Sequence, residues 1–91
     1  MFKVVVHKRA VRYLNKLPIS QKEKIKDVLK ELGIEPLQRS DIKHMLGEWK
    51  GYYRIRIGDI RIIFWIDQEE NTIYVDHIGP RGDIYSGDIY K

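Results

Sequence analysis

No cysteine occurs anywhere in the 91 residues. No disulfide can therefore staple the fold, and no thiolate can ligate a metal. The chain lacks any apolar run long enough to span a bilayer, and its opening Met-Phe-Lys-Val-Val-Val-His has neither the extended apolar segment nor the cleavage site of a secretory signal. A cytoplasmic protein with no membrane contact is the expectation. Histidine is sparse, and His7, His44 and His77 have no metal-ligand spacing. Glycine is not gathered into a phosphate-cradling loop, and Ser20, Ser40 and Ser86 lack a nucleophile-elbow context. No metal and no cofactor is expected.

What is present fits one small domain, residues 1–91, with a core adequate for independent folding. The net charge of +4 is unevenly spread. Through Arg61 there are 15 Lys and Arg against 7 Asp and Glu, giving +8; beyond it 2 stand against 6, giving −4. The basic part suits a nucleic acid, and a solvated surface of mixed charge accounts for the same numbers.

The β-branched run Phe2–His7 reads as a buried strand. From Lys8 the period changes, and Ala10, Val11, Leu14 and Leu17 form a helical stripe that Pro18 ends. Ser20-Gln21-Lys22-Glu23 has the capping-box pattern of a second helix start. That helix carries Ile25, Val28, Leu29 and Leu32 on one stripe, with Gly33 as its expected C′ residue. Lys22, Lys26 and Lys30 recur every four residues along it. They read as a ridge for RNA phosphates or as a solvated face balanced by Glu23 and Asp27. Ile42, Met45 and Leu46 are the candidate anchors of the polar stretch from Gly33 to Lys50.

The hairpin Tyr52–Asp67 is the strongest pattern in the chain. Gly58-Asp59 is a two-residue turn with glycine first, suited to type II′. Folding about it pairs Ile57 with Ile60, Arg56 with Arg61, Ile55 with Ile62, Arg54 with Ile63 and Tyr53 with Phe64. One face is then Tyr53, Ile55, Ile57, Ile60, Ile62 and Phe64. The other carries Arg54, Arg56 and Arg61, with Tyr52, Ile63 and Trp65 nearby. Like charges directly opposite one another destabilise a sheet, so Arg56 facing Arg61 points to an anion site. Gln68–Asn71 is a further turn, and Thr72–Ile78 a third sheet segment. The fold class is α+β, a small antiparallel sheet in the order β-α-α-β-β-β with a two-helix hairpin on its apolar face and the arginine face uncovered. Arginine grips phosphate through a planar fork, and Tyr52, Trp65 or Tyr85 can stack an unpaired base.

The motif Tyr-Arg-Ile-Arg-Ile-Gly-Asp-Ile-Arg-Ile over residues 53–62, followed by Ile78-Gly-Pro-Arg-Gly-Asp-Ile-Tyr85, resembles the RelE/ParE toxin superfamily, and within it the RelE branch. Length and element order agree over nearly the whole chain. The resemblance implies a ribosome-dependent endoribonuclease that cuts mRNA in the decoding site without metal. In that chemistry the ribose 2′-OH attacks the adjacent phosphate and leaves a 2′,3′-cyclic phosphate and a 5′-OH. The family's basic positions fall on Arg54, Arg56, Arg61 and Arg81, and its C-terminal tyrosine on Tyr85. The bacterial archetype has lysines where Arg54 and Arg56 stand. Arginine does not give up its proton, which leaves Tyr85 and His77 as candidate bases. The resemblance also implies a cognate RelB-like antitoxin that masks the basic site and carries the pair to its operon DNA. Two alternatives stand beside it: a ParE-like toxin that inhibits DNA gyrase by protein binding, and a catalytically inactive ribosome- or RNA-binding module of the same fold.

Overall fold

The computed structural model describes residues 1–80. A strand β1 (Lys3–Val6) leads into helices α1 (Lys8–Asn15) and α2 (Ile19–Ile34). The short strand β2 (Lys43–His44), a single 3-10 turn at Gly47–Trp49, and strands β3 (Tyr53–Ile57), β4 (Ile60–Asp67) and β5 (Thr72–Pro80) follow. The sheet order is β1-β5-β4-β3-β2. The strands β2 to β5 are antiparallel neighbours, as expected of a meander, whereas β1 joins the edge of β5 in parallel, pairing Lys3 with Thr72 through to Val6 with Val75. The sheet is therefore mixed. A parallel neighbour requires a crossover, and the two helices provide it. No helix among the described residues is long and apolar enough to cross a membrane.

The hairpin adopts the expected register at all five pairs, from Tyr53–Phe64 to Ile57–Ile60. Gly58 has φ +61 while Asp59 is not among the positive-φ residues. That combination excludes type I′, which needs both central residues at positive φ, and fits type II′. One face of the sheet packs Ile55, Ile60, Ile62, Phe64, Ile73, Val75 and Ile78 against Ala10 and Leu14 of α1 and Ile25, Val28, Leu29 and Leu32 of α2. Ile55, Ile62, Phe64 and Leu32 are wholly buried, each such side chain contributing about 1.5–3 kcal/mol.

Four local expectations are corrected. The second helix begins at Ile19, not after a Ser20 cap: Pro18 is its N-cap, the Pro18 carbonyl accepts from Lys22 N at 2.9 Å, and no side chain caps the end. Ser20 thus lies inside the first turn, where a capping box cannot form. Gly33 is not beyond the helix but within it. A Cβ there would lie 3.2 Å from the Phe2 carbonyl oxygen and 3.3 Å from Val4 Cγ2, so the glycine lets β1 approach. Leu46 is 85% exposed and anchors nothing, while Met45 is buried and Ile42 packs on the main core. Nor is the arginine face bare: Met45 and Ile63 form a second small cluster there, with Trp49 and Tyr52 against it.

Candidate functional site

Strand alternation sends Arg54 and Arg56 away from the helices, and antiparallel pairing puts Arg61 directly opposite Arg56. On its other side β3 pairs with β2, which sets Lys43 opposite Arg54. Four cations therefore share one face in two adjacent cross-strand pairs. Arg56 is exposed, Arg54 half-buried, and Arg61 only 4% exposed. Burial of a guanidinium in low dielectric strengthens its attraction for an incoming anion. A shallow groove of about 230 Å³ runs between Asp41, Lys43, Arg54 and Arg56. Lys43 carried no pattern in the sequence. Its role follows from pairing β2 with β3, a long-range event with no local signature.

The other end of this face is built around an irregularity. Pairing between β4 and β5 slips at Ile63/Phe64, so that Ile63 faces His77, Phe64 faces Val75, and Asp76 is the extra residue. This bulge returns Ile78 to the core and leaves Asp76 and His77 half-buried. His77 sits in the interior of a long strand, just past the last pair that β1 makes with β5. Arg9, in the first turn of α1, reaches it: its Nη2 is 3.2 Å from His77 Nε2 and its Nε donates to the Asp76 carbonyl at 3.4 Å. The His77 ring meets Trp49 edge-on at 5.2 Å, and Trp49 meets Tyr52 edge-on at 4.8 Å. The Tyr52 phenol is pushed above its ordinary 10.0 by burial first, then by the charge of Asp76 and a hydrogen bond to it, with Arg9 opposing. Sequence reasoning missed Arg9, Trp49 and Asp76, because a bulge brings them together and leaves no periodic trace.

Trp65 lies four residues along β4 from Arg61, about 13 Å away, and stacks on Tyr74 at 4.7 Å with an interplanar angle of 18°. It is not part of the arginine cluster. Lys22, Lys26 and Lys30 belong to α2, which packs on the opposite face of the sheet. Lys26 and Lys30 are exposed, and Lys26 lies 3.9 Å from Glu23. Arg81 and Tyr85 lie outside the described residues.

Comparison with known proteins matches this architecture. A protein of Methanocaldococcus jannaschii provisionally named toxin RelE1 is 31% identical over 86 residues, 92% of this chain and 94% of the relative. The RelE of the archaeal RelE–RelB complex from Pyrococcus horikoshii superposes with TM-score 0.78 at 29% identity, covering 90% of this chain and 97% of that one. The RelBE2 toxin–antitoxin complex of Mycobacterium tuberculosis gives TM-score 0.77 at 27% identity, over 88% and 98% of the two chains. The family model for the ParE toxin of type II toxin–antitoxin systems matches residues 4–85. A five-stranded mixed sheet backed by two helices, and a sequence match along nearly its whole length, place this chain in the RelE/ParE toxin superfamily of type II toxin–antitoxin systems.

Proposed function

We propose that this toxin is an mRNA endoribonuclease that works in the ribosomal A site and so halts translation. One observation carries the reading: Arg56 opposite Arg61, beside Lys43 opposite Arg54. Two neighbouring like-charge pairs cost the sheet stability, and an RNA phosphate bound across them offsets that cost. The reaction has the 2′-OH attack the adjacent phosphorus while the bond to the 5′-oxygen of the next nucleotide breaks. Negative charge builds on the non-bridging oxygens, and Arg54, Arg56 and Arg61, together with Arg81, stabilise it, a contribution that is often the largest in such chemistry. The 2′-OH proton goes to His77 or Tyr85, and the 5′-oxygen takes its proton from the other of the two, or from water, as it leaves. Tyr52 and Tyr85 are the stacking candidates of this reading, and Lys22, Lys26 and Lys30 its accessory ribosome contacts. The partner is a cognate RelB-like antitoxin, encoded alongside, that covers the basic face and brings the pair to operon DNA. The compartment is the cytoplasm, where translating ribosomes are.

The matching family model is that of a ParE toxin, which favours a second reading, inhibition of DNA gyrase by protein binding. Mapping mRNA 5′ ends on translating ribosomes separates the two. Wild type is expected to create new 5′-OH ends, and Arg54→Gln with Arg56→Gln to reduce them by at least about a hundredfold. Growth arrest with intact mRNA and damaged DNA would move the assignment to gyrase. Ribosome binding without new ends would make the chain an inactive RNA-binding module.

A further inference from the structure

Asp41 is an anion on the wall of an otherwise cationic groove, beside Lys43, Arg54 and Arg56. A carboxylate in that place opposes the task of the groove in two ways. It repels a phosphate, and it competes with the phosphate for the same guanidinium donors. The structure addresses both with one residue from outside the groove. Arg39 grips Asp41 in a two-point fork, Nε donating to Oδ1 at 2.9 Å and Nη2 to Oδ2 at 2.8 Å. Its remaining nitrogen, Nη1, donates to Glu31 on α2 at 2.6 Å. Both Asp41 oxygens are thus turned toward Arg39, and the hydrogen bonds from Arg39 hold the carboxyl below its usual range. The fork is the geometry that lysine cannot reproduce.

We propose that Arg39 is a positioning residue for the basic groove: it holds the Asp41 carboxylate off Arg54 and Arg56, so that an RNA phosphate meets a groove of net positive field. The inference rests on the reading of that groove as an RNA-phosphate surface. Arg39 sets its positive charge against both Asp41 oxygens, so the carboxylate's field in the groove is weaker than that of a bare carboxylate, although Arg39 shares that charge with Glu31. Glu31 ties the guanidinium to the last turn of α2, while the fork to Asp41 is what orients the carboxylate. The pair is partly exposed, so its contribution to fold stability is small, and its position beside the cations is what gives it a function.

The test uses the full chain and a trinucleotide RNA carrying 2′-O-methyl groups, which binds without being cut. Binding is followed by NMR at the Nε–H signals of Arg54 and Arg56, with the melting temperature of each variant as a folding control. Arg39→Gln is expected to weaken binding roughly threefold to tenfold, the range for exposing one nearby charge in partly solvated surroundings. Adding Asp41→Asn is expected to bring affinity back to within about twofold of wild type, because the competing charge is then gone. Glu31→Gln removes the tether to α2 and leaves the fork, so it is expected to bind nearly as wild type. Unchanged binding in Arg39→Gln overturns the proposal. So does a double variant as weak as Arg39→Gln, since that marks a purely structural role. Signals of Arg54 and Arg56 that do not respond to the trinucleotide in wild type overturn it as well, whatever the cleavage assay gives. The expected binding pattern without mRNA cleavage on ribosomes would instead remove the nuclease reading and leave the role of Arg39 standing.

Discussion

A guanidinium carries five donors and no acceptor, and that fact assigns the His77 tautomer. With Arg9 Nη2 at 3.2 Å from Nε2, Nε2 must present its lone pair, so the neutral ring carries its proton on Nδ1. Long-range nitrogen–proton NMR spectra at neutral pH are expected to report the Nδ1–H form in the wild type, with the Nε2–H form gaining in Arg9→Ala. An Nε2–H ring in the wild type would mean that Arg9 does not engage it. In the proposed reaction, with His77 as the base, the ring takes a proton at Nε2 only once Arg9 has moved aside, and a bound phosphate is a competing partner for Arg9. Tyr52 is the second residue whose surroundings set its chemistry. Burial and the Asp76 carboxylate both disfavour the phenolate, so its folded value lies above 10.0. By linkage, the stability it contributes is fully present below about pH 10 and is lost as pH rises through the folded value. In NMR titration of ring-labelled tyrosine, Asp76→Asn is expected to bring the Tyr52 midpoint down. A midpoint that stays put would remove Asp76 as a cause.

At the scale of elements, the best-read part of the chain was the one whose constraints are local. The hairpin needs only a period of two and a Gly58-Asp59 turn, and both lie within twelve residues, so five pairings followed from residue types alone. Strand β1 is legible as a strand from its β-branched run, but its half-exposed place parallel to β5 is not. That pairing, strand β2 and the β5 bulge depend on partners about 10 to 70 positions away in sequence or on a slip inside an otherwise regular ladder, which local residues do not announce. The sequence therefore showed Arg54, Arg56 and Arg61 on one face but not Lys43, and it offered His77 without Arg9, Asp76 or Trp49. Gly33 shows how a local rule can point the wrong way. A glycine at the end of a helical stripe reads as a stop signal, yet this one sits one residue inside α2 so that β1 can pass close by. Helix propensity alone has Gly33→Ala gain about 1 kcal/mol. The two atoms a methyl would meet, Phe2 O and Val4 Cγ2, belong to a segment fixed by Phe2 N donating to the Gly33 carbonyl at 2.7 Å and by parallel pairing with β5. The steric cost is expected to outweigh the propensity, lowering the melting temperature of Gly33→Ala by several degrees for a domain of this size. A rise on thermal unfolding would show that β1 yields easily.

At the scale of the molecule, the sheet divides two basic surfaces: the arginine face that the sequence marked as an anion site, and the lysine ridge that it left as an accessory contact or a solvated face. Arg54, Arg56, Arg61 and Lys43 occupy one side, while α2 carries Lys26 and Lys30 on the other, with the whole core between them. A nucleotide held on the arginine face is out of reach of the lysines on α2. If the arginines hold the scissile phosphate, the lysines can act only on ribosomal RNA around the bound toxin, and the two sets must separate kinetically. Removing one cation that neutralises a phosphate is expected to lower the salt dependence of binding by about 0.7 in the logarithmic slope for single strands. Lys26→Gln with Lys30→Gln should therefore flatten the salt dependence of ribosome association yet leave the cleavage rate of preloaded ribosomes within about twofold of wild type. Arg54→Gln with Arg56→Gln should depress that preloaded rate by at least about a hundredfold. Single-turnover cleavage on ribosomes saturated with toxin, measured from low to high salt, distinguishes the two pairs. An equal loss of preloaded rate from the lysine pair would mean that α2 also contributes to the chemistry, which the placement of α2 behind the sheet does not allow.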